Sequence, residues 1–495
     1  MRLNRREFIA LGAGGMMGLS SFGALRGHAS ESSGMAKPPN FIVIMADDLG
    51  AKELSCYGHP VHRTPHLDAL AAGGVQFNTG YAAPLCHPTR VMIMTGQYGC
   101  HNGVYNFAGM RGGPEPRSPV EDIGANHVTF AEVLKQRGYK TALAGKWQLS
   151  GTLPNMIYEC GFDEYLIWAY LSYLPKDVTH TGGFEGDSKP SRYWHPCILK
   201  NGAYLPTKPD DYGPDLYTGF LIDFMKRHRE EPFFLYYPMC LTHAPHVPTP
   251  DTVTEGEDRL KNEQRHFKGA VEYMDKLVGR IVAALDELGL RENTIILFTG
   301  DNGTGGDGKG QPTELGARVP MIYNGPGIVK QRGLSPELTD LSDVLPTLTD
   351  FAGAPLPEGR VIDGHSLAPF LRGETDTARE WIFSFIADRR ILRTKRWLLE
   401  DNSPLRMGRL YDCGDSRDGA GYRDVTDSDD PEARAARDYF EELLKNLPAP
   451  VLPEDGDPTE IKIDRAARRE QRRSRKESRP PRANRRGATS EPASK

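Results

Sequence analysis

Cysteine is scarce in this chain and forms no metal-binding or disulfide pattern. Only seven of the 495 residues are cysteines, and none stands in a Cys-x-x-Cys pair. Disulfide-dependent scaffolds use cysteine far more densely, and structural zinc sites need closely spaced pairs. The sequence therefore excludes a disulfide scaffold and disfavours a structural zinc site. Most of the seven cysteines are predicted to be small buried side chains.

Long apolar runs are absent beyond the N-terminal region. The exception is the Gly/Ala-rich run from Ile9 to Leu25, which follows the paired arginines Arg5-Arg6. This arrangement resembles a twin-arginine (Tat) export signal with a small-residue cleavage site near Ala29. We therefore expect residues 1–29 to be a signal peptide and the mature protein to be exported, periplasmic or extracellular, without membrane insertion. A short membrane anchor is the alternative.

The body of the chain has no excess of positive charge. The formal net charge is -5, yet residues 462–495 contain thirteen basic and four acidic residues. This basic tail lacks apolar periodicity, so we expect residues 454–495 to be solvated and disordered. An acidic body is not typical of nucleic-acid-binding folds. The sequence predicts no nucleic-acid partner, and any bound anion must be held by a local cluster of cations.

Apolar strand-like runs alternate with helical patterns along most of the chain. Strands are predicted at residues 40–46, 139–145, 232–239 and 294–299, and the continuous apolar run of the first is typical of a strand buried on both faces. Cap and stop residues predict helices at 64–74 and 129–138, apolar residues three or four apart predict one at 267–288, and residues 339–353 are predicted as the last helix of this domain. The alternation predicts an α/β domain over residues 38–375, with a large mixed, mostly parallel sheet sandwiched by helices.

The pattern changes to short strands and one helix beyond residue 376. This predicts a smaller C-terminal α+β subdomain over 376–450, with an antiparallel sheet and a helix packed on it. Two Gly/Pro/Asp-rich stretches, 103–125 and 176–214, are predicted to be long loops around an active site. Aromatic residues in or near these loops could stack on sugar rings or simply pack within the loops: Trp168, Tyr170, Tyr173, Tyr193 and Trp194.

Polar clusters follow four of the predicted strands. These clusters are Asp47-Asp48, Lys146, His243 with His246, and Asp301-Asn302. Each could cap a helix or form a turn, but the carboxyl ends of strands in an open α/β sheet converge on one crevice. The two acidic clusters supply only oxygen ligands. They predict a hard divalent cation, with Ca²⁺ preferred and Mg²⁺ as the alternative.

A fifth cluster, Cys86-His87-Pro88-Thr89-Arg90, begins a predicted helix. Cys86 and Arg90 would share one face of that helix, at an end that favours anions. The motif resembles the Cys-x-Pro-x-Arg signature of the formylglycine-dependent (type I) sulfatases of the alkaline phosphatase superfamily. Other blocks resemble that family in the same order over roughly residues 40–370: Asp47-Asp48, Gly145-Lys146-Trp147, His243-Ala244-Pro245-His246, Asp301-Asn302-Gly303 and Lys309-Gly310-x-x-x-Glu314-x-Gly316-x-Arg318.

The resemblance implies a chemistry for these residues. Cys86 would be oxidised by a maturation enzyme to formylglycine (3-oxoalanine), whose hydrate carries two hydroxyls beside the metal. One hydroxyl attacks sulfur and expels the alcohol, and the other then ejects sulfate. Lys146 and Lys309 would hold the sulfate oxygens, Arg90 the diol, and His243 would donate to the departing oxygen. The implied metal ligands are Asp47, Asp48, Cys86, Asp301 and Asn302, and the implied substrate-binding residues are Gln148, His246 and Arg318.

Two positions depart from the family pattern. The family usually carries His two residues after the strand lysine, whereas this chain has Gln148, which can donate a hydrogen bond but cannot take up a proton. Gln148 is therefore predicted to be a neutral donor rather than a base. Gly316 follows Leu315, where the family has two glycines, which is a mild packing change.

Three functions are compatible with these motifs. The preferred one is a sulfatase that acts on sulfated polysaccharides or oligosaccharides in carbohydrate degradation, with small aryl sulfates as the alternative substrate. The second is a phosphonate or phosphate ester hydrolase of the same superfamily. Phosphate monoesters carry an extra negative charge and call for more cations or a second metal, yet the sequence supplies ligands for one metal. The third is a non-enzymatic glycan-binding relative, which the intact nucleophile and metal blocks disfavour.

Overall fold

The computed structural model describes residues 37–107, 123–149, 155–169, 182–185, 189–416 and 419–450. The predicted signal peptide and basic tail lie outside these residues. The α-helices are α1 (Pro65–Ala72), α2 (Cys86–Thr95), α3 (Gly99–Asn102), α4 (Ile123–Asn126), α5 (Phe130–Gln136), α6 (Gly213–Arg227), α7 (Phe267–Glu287), α8 (Glu314–Ala317), α9 (Val344–Phe351), α10 (Ala368–Arg372) and α11 (Pro431–Lys445). Within the described ranges, none of these helices has the length and apolar character needed to span a bilayer.

Ten strands form the main sheet, in the order β12-β2-β11-β10-β1-β9-β3-β4-β7-β8. Their bounds are β1 (Asn40–Ala46), β2 (Val75–Tyr81), β3 (Lys140–Gly145), β4 (Glu164–Trp168), then, after the small β5 (Phe184–Glu185) and β6 (Lys189–Pro190) pair, β7 (Ile198–Lys200), β8 (Ala203–Leu205), β9 (Phe233–Pro238), β10 (Thr294–Gly300), β11 (Arg318–Asn324) and β12 (Gly333–Asp340). The five central strands from β10 to β4 are all parallel, and antiparallel pairs flank them. This mixed, mostly parallel sheet confirms the predicted fold class.

Strand β1 shows why the apolar runs in the sequence are continuous. Phe41, Val43 and Met45 pack into one core with residues of α2, α5 and α9. Their neighbours along the strand, including Ile42 and Ile44, face the opposite core with residues of α1, α6 and α7. Because helices cover both faces, most positions of a central strand are apolar.

Local capping signals fixed several helix starts, and one start differs from the prediction. Pro65 begins α1, and Thr129 with Glu132 forms a capping box on α5, as their sequences predict. The helix predicted at 339–353 begins later, because Thr339 and Asp340 end strand β12. The Asp340 carboxylate accepts a hydrogen bond from Ser342 N and begins a short 3-10 turn before α9.

A second sheet of five antiparallel strands forms the C-terminal region. Its strands are β13 (Trp381–Ile386), β14 (Arg389–Thr394), β15 (Trp397–Asn402), β16 (Arg409–Asp412) and β17 (Arg423–Asp424), in chain order. This sheet and α11 agree with the predicted antiparallel sheet plus helix. The predicted boundary near residue 375 falls between the two sheets, which lie in one compact unit beginning at Pro38.

A buried charge network joins the two sheets. The Arg379 guanidinium donates to Asp340 Oδ2 at 3.0 Å and to Asp343 Oδ1 at 2.7 Å, and all three side chains are buried. Tyr98 donates to the same Asp340 oxygen at 2.7 Å. Phe383 N, on strand β13, also donates to it at 3.3 Å. Asp340 therefore connects the end of β12, the segment after α2 and the C-terminal sheet.

We expect Arg379→Met to destabilise the fold strongly. Removing the cation leaves two buried carboxylates uncompensated, which costs about 3–5 kcal/mol of unfolding free energy. The matched control is Arg406→Met, because Arg406 makes an exposed ion pair with Asp401 and should contribute about 1 kcal/mol or less. Chemical denaturation followed by tryptophan fluorescence measures both variants, and equal losses would contradict the role of the network.

Candidate active site

Four polar clusters meet at the carboxyl ends of neighbouring parallel strands. Asp47-Asp48 follow β1, Asp301-Asn302 follow β10, and Lys146 follows β3. The first two clusters touch directly: Asp301 Oδ1 accepts from Asp48 N at 2.9 Å, and Asn302 Nδ2 donates to Asp48 Oδ1 at 2.9 Å. The crevice therefore lies where strand order and strand direction require it.

The turn after β9 is tied to the same crevice through the backbone. Asp47 N donates to Leu241 O at 2.8 Å, and Asp47 O accepts from Thr242 N at 2.8 Å. These bonds set His243 beside the carboxylates, with Nε2 at 3.6 Å from Asp48 Oδ2. The structure thus places His243, a predicted site residue, beside the carboxylates of the crevice.

Asp47 is the most enclosed charge in the crevice. Its carboxylate has no exposed surface, and Lys146 Nζ lies 2.8 Å from Oδ1 and 2.6 Å from Oδ2. Burial alone would raise the pKa of Asp47, but Lys146, His243 and Arg90 lower it well below its usual value. Asp47 is therefore an anion at neutral pH.

Helix α2 carries Cys86 and Arg90 into the crevice from the side. Cys86 is its first residue, and the buried Arg90 guanidinium lies one turn later. Arg90 donates to Lys146 O and to Asp301 Oδ2, both at 2.7 Å. Arg90 thereby fixes α2 against the ends of β3 and β10.

The loop after β10 supplies Lys309. Gly310 N donates to Pro84 O, just before α2, which brings this loop over Cys86. Lys309 Nζ lies 2.6 Å from Asp48 Oδ1 and 2.9 Å from Oδ2. Burial raises the pKa of the Cys86 thiol, while Lys146 and Lys309 oppose that rise. Both ammonium groups therefore act electrostatically on the thiol.

The donor set in the crevice fits a hard divalent cation. The Asp47 and Asp48 carboxylates and a nitrogen of His243 lie within 4.8 Å of one another. Asn302 Oδ1 is buried and has no hydrogen-bond partner among the described residues. An orphaned buried amide oxygen beside two carboxylates is the environment that Ca²⁺ or Mg²⁺ completes.

A second group of possible ligands lies nearby, formed by Glu53, His59 and His62. His59 Nδ1 accepts from Val61 N at 3.2 Å and from His62 N at 2.8 Å, so the ring proton of neutral His59 is on Nε2. A metal ligand needs a free lone pair on that nitrogen. These hydrogen bonds argue against a metal at this second group.

Gly145 and Gln148 shape the turn that presents Lys146. Gly145 has a φ of 119°, and a Cβ there would meet Pro238 O at 2.1 Å, so only glycine fits. Gln148 has a φ of 54° and therefore does not continue the strand alternation from Lys146. Its side chain is buried, and Oε1 has no hydrogen-bond partner among the described residues. Gln148 therefore lies at the crevice end of β3, and its side-chain oxygen can still accept a hydrogen bond.

His246 and Arg318 take different positions from the central group. The His246 ring packs edge-on against Phe267, and burial lowers its pKa. Arg318 begins β11 and donates through Nε to Asn78 O at 2.8 Å. It lines a cavity of about 480 Å³ beside the C-terminal sheet. Its role in substrate binding stays a prediction.

The structure describes three of the five aromatic residues that could stack on sugar rings or pack within the loops. Trp168, Tyr193 and Trp194 are at most 5% exposed and belong to the core beside α6 and α7. Their burial favours the packing alternative for these three. Tyr170 and Tyr173 lie outside the described residues.

Sequence reasoning missed Arg192, which contacts His243. Its NH1 lies 3.1 Å from His243 Nδ1, and its guanidinium stacks on Trp168 at 4.0 Å. Burial lowers the pKa of His243 to about 3, so the ring is neutral at physiological pH. The sequence around Arg192 offered one indication of this contact. A charged residue next to Tyr193 and Trp194 is expected to be buried with them, and a buried charge needs a polar partner.

Three buried or half-buried cations and a thiol therefore lie around an oxygen-rich group that could hold a metal ion. Cations in such an arrangement can bind a tetrahedral oxyanion.

Comparisons with known proteins agree with this geometry. The sulfatase family model matches residues 39–354. Steryl-sulfatase of Mus musculus is 32% identical over 454 residues, which cover 73% of this chain and 69% of that protein. Arylsulfatase A of Homo sapiens is 35% identical over 384 residues, which cover 71% of each chain. N-acetylgalactosamine-6-sulfatase of Canis lupus familiaris is 32% identical over 389 residues, with 72% and 70% covered.

Solved structures share the fold. Ps i-CgsB superposes with a TM-score of 0.66 at 23% identity, covering 82% of this chain and 93% of that one. A protein solved in complex with its substrate D-glucosamine-2-N,6-O-disulfate has a TM-score of 0.62 at 22% identity, covering 83% and 97%. Together with the family match and the curated relatives, these findings establish that the chain belongs to the formylglycine-dependent sulfatase family and is a sulfuric ester hydrolase.

Proposed function

We propose that this enzyme hydrolyses sulfate esters of polysaccharides or oligosaccharides, with Cys86 converted to formylglycine beside a Ca²⁺ ion. The observation that carries the proposal is the contact of Lys146 and Lys309 with the buried carboxylates of Asp47 and Asp48, from where both ammonium groups act electrostatically on the Cys86 thiol. Relatives named for an N-acetylgalactosamine sulfate and a fold neighbour solved with a sulfated glucosamine support the carbohydrate substrate.

The state of the thiol supports conversion of Cys86. Burial raises the pKa of this thiol, so little of it is a thiolate at neutral pH. A buried neutral thiol is a weak nucleophile. Formylglycine supplies instead a nucleophilic oxygen and a route for releasing sulfate that a thiol lacks.

The cations of the crevice have separate tasks in this proposal. Lys146 and Lys309 bind the sulfate oxygens, because their ammonium groups lie against the Asp47 and Asp48 carboxylates and both act on the charge of residue 86. Arg90 keeps α2 and therefore residue 86 in place through Lys146 O and Asp301. A Ca²⁺ ion held by Asp47, Asp48, Asp301 and Asn302, with residue 86, supplies further charge stabilisation.

His243 is assigned as the residue that donates a hydrogen bond to the departing alcohol oxygen. Its neutral ring faces Asp48 through Nε2, at the entrance to the carboxylate group. A hydrogen bond donated from this nitrogen stabilises the negative charge that develops on the leaving oxygen. Gln148 is assigned as a neutral donor to sulfate, and His246 to the substrate side of the crevice.

Phosphate ester hydrolysis is the weaker alternative. A phosphate monoester brings an extra negative charge, which a second metal ion usually offsets. The hydrogen bonds of His59 argue against a metal at the neighbouring Glu53 group. Among the described residues the crevice offers ligands for one cation, which suits a sulfate ester.

The proposed conversion of Cys86 is tested by mass spectrometry. We expect active enzyme to carry formylglycine at Cys86, and we expect Cys86→Ala to lose activity by about a thousandfold or more, because the nucleophile is gone. Peptide mass spectrometry with sulfate release from a panel of sulfated oligosaccharides measures both. Full activity in protein that contains only unmodified Cys86 would contradict the proposal. Cys160→Ala is a control for loss of a buried thiol.

The proposed Ca²⁺ site predicts a linked gain in stability. Chelation should lower the melting temperature as well as activity, because a ligand present at about 100 times its Kd adds about 2.7 kcal/mol. Differential scanning fluorimetry with Ca²⁺ or Mg²⁺ added back should show a larger shift for Ca²⁺. Asp48→Asn should abolish that shift, whereas Glu53→Gln should retain it. A shift lost only in Glu53→Gln would place the metal elsewhere.

The roles of His243 and Gln148 separate with the leaving group. His243→Ala should slow phenyl sulfate hydrolysis about tenfold more than 4-nitrophenyl sulfate hydrolysis, because the poorer leaving oxygen needs the donor more. Gln148→Ala should slow both substrates equally. Steady-state kcat/KM values of the two variants on the two substrates test this. If His243→Ala slows both substrates by the same factor, as Gln148→Ala should, His243 is not the donor.

A further inference from the structure

The segment Ser191–Trp194 holds the turn after β9 through three consecutive side chains. The Tyr193 hydroxyl lies 2.8 Å from Cys240 O and 2.5 Å from His243 O, and its single proton is shared between these two acceptors. Trp194 Nε1 donates to Pro248 O at 2.8 Å. Between them, Arg192 reaches the His243 ring itself. The segment therefore fixes both the backbone and the imidazole of the turn.

Arg192 is held rigidly in this position. Its side chain is 1% exposed, and the guanidinium lies over the Trp168 ring at 4.0 Å from the centroid. Trp168 is in turn anchored by Nε1 donating to Pro190 O at 3.1 Å. A stacked, buried guanidinium has few alternative rotamers, so its NH1 remains directed at His243.

Two groups compete for Nδ1 of His243. Arg192 NH1 lies 3.1 Å away and can only donate a hydrogen bond, so this contact needs a lone pair on Nδ1. Ala244 O lies 2.5 Å from the same nitrogen and can only accept, so that contact needs a proton there. A neutral imidazole has one ring proton, and the partner that prevails decides which nitrogen carries it.

We propose that Arg192 is a positioning residue that holds His243 in the tautomer with its proton on Nε2. In that tautomer the ring directs its N–H toward Asp48 Oδ2, at 3.6 Å, and the crevice. Without Arg192, Nδ1 takes the proton and donates it to Ala244 O. Nε2 then presents a lone pair to the Asp48 carboxylate and has no proton for a leaving oxygen.

The tautomer of His243 can be determined whether or not the enzyme is active. Its importance for catalysis rests on the proposed function, in which His243 donates a hydrogen bond to the departing alcohol oxygen. The competing interpretation is that Arg192 only supports the fold by filling the space over Trp168. Tyr193→Phe is a matched control, since it loosens the same turn through its backbone contacts and leaves the imidazole contact intact.

The first arm of the test reads the tautomer directly. Calcium-loaded enzyme is labelled with ¹⁵N histidine, and the His243 signals are assigned by their loss in His243→Gln. We expect the Nε2–H pattern in the wild type and in Tyr193→Phe, and the Nδ1–H pattern in Arg192→Met. Arg192→Lys keeps a donor and should retain part of the Nε2–H population. An unchanged pattern in both Arg192 variants overturns the proposal.

The second arm reads the consequence for the reaction. Arg192→Met should lose about tenfold more kcat on phenyl sulfate than on 4-nitrophenyl sulfate, the split expected for a lost hydrogen-bond donor. Tyr193→Phe should lose the same factor on both. Equal losses on both substrates for Arg192→Met, with correct folding by thermal denaturation, would reduce Arg192 to a structural role.

The two arms separate the inference from the function on which it rests. If matured wild-type enzyme releases no sulfate from aryl sulfates or sulfated oligosaccharides, the proposed function fails while the NMR arm still decides the tautomer. If Arg192→Met does not fold, Arg192→Lys is measured in both arms. A wild-type ring found with its proton on Nδ1 overturns the proposal whatever the activity.

Discussion

The buried negative charge of Asp47 is the constraint on which the crevice depends. A carboxylate without exposed surface is stable only if cations and hydrogen-bond donors surround it. Lys146 contacts both of its oxygens, and Arg90 lies 3.6 Å from one of them while bonding Asp301. Arg90 also donates to Lys146 O and so fixes α2 against the end of β3. The charge balance around Asp47 and the placement of Cys86 therefore depend on the same side chain. The same cations that stabilise the fold are therefore those available to an anionic substrate.

The central strands and their polar ends could be predicted because each is encoded locally. A continuous apolar run such as Asn40–Ala46 needs cover on both faces, and parallel strands bring their carboxyl ends together. The strands β2, β11 and β12 were not predicted, since their pairing is antiparallel or mixed and joins residues far apart in the chain. Arg192 was missed for the same reason. Its partner His243 lies four elements further along the chain, after β7, β8, α6 and β9, and no spacing rule connects the two residues.

The C-terminal sheet is linked to the crevice through charge as well as packing. Asp340 receives Arg379 from just before β13 and Tyr98 from just after α2. Ser384, on β13, donates to Ala82 O, a few residues before Cys86. The second sheet therefore supports the helix that carries Cys86, which explains why chain segments so distant in sequence form one compact unit.

The burial of Cys86 also sets an order of events in time. Its side chain is 2% exposed, and Pro84, on the segment leading into α2, is hydrogen-bonded to the Lys309 loop. If Cys86 is converted to formylglycine, as we propose, its sulfur is out of reach of a modifying enzyme once the crevice has closed. The proposed conversion would then have to precede assembly of the central strands, and a chain that folded first would keep its thiol.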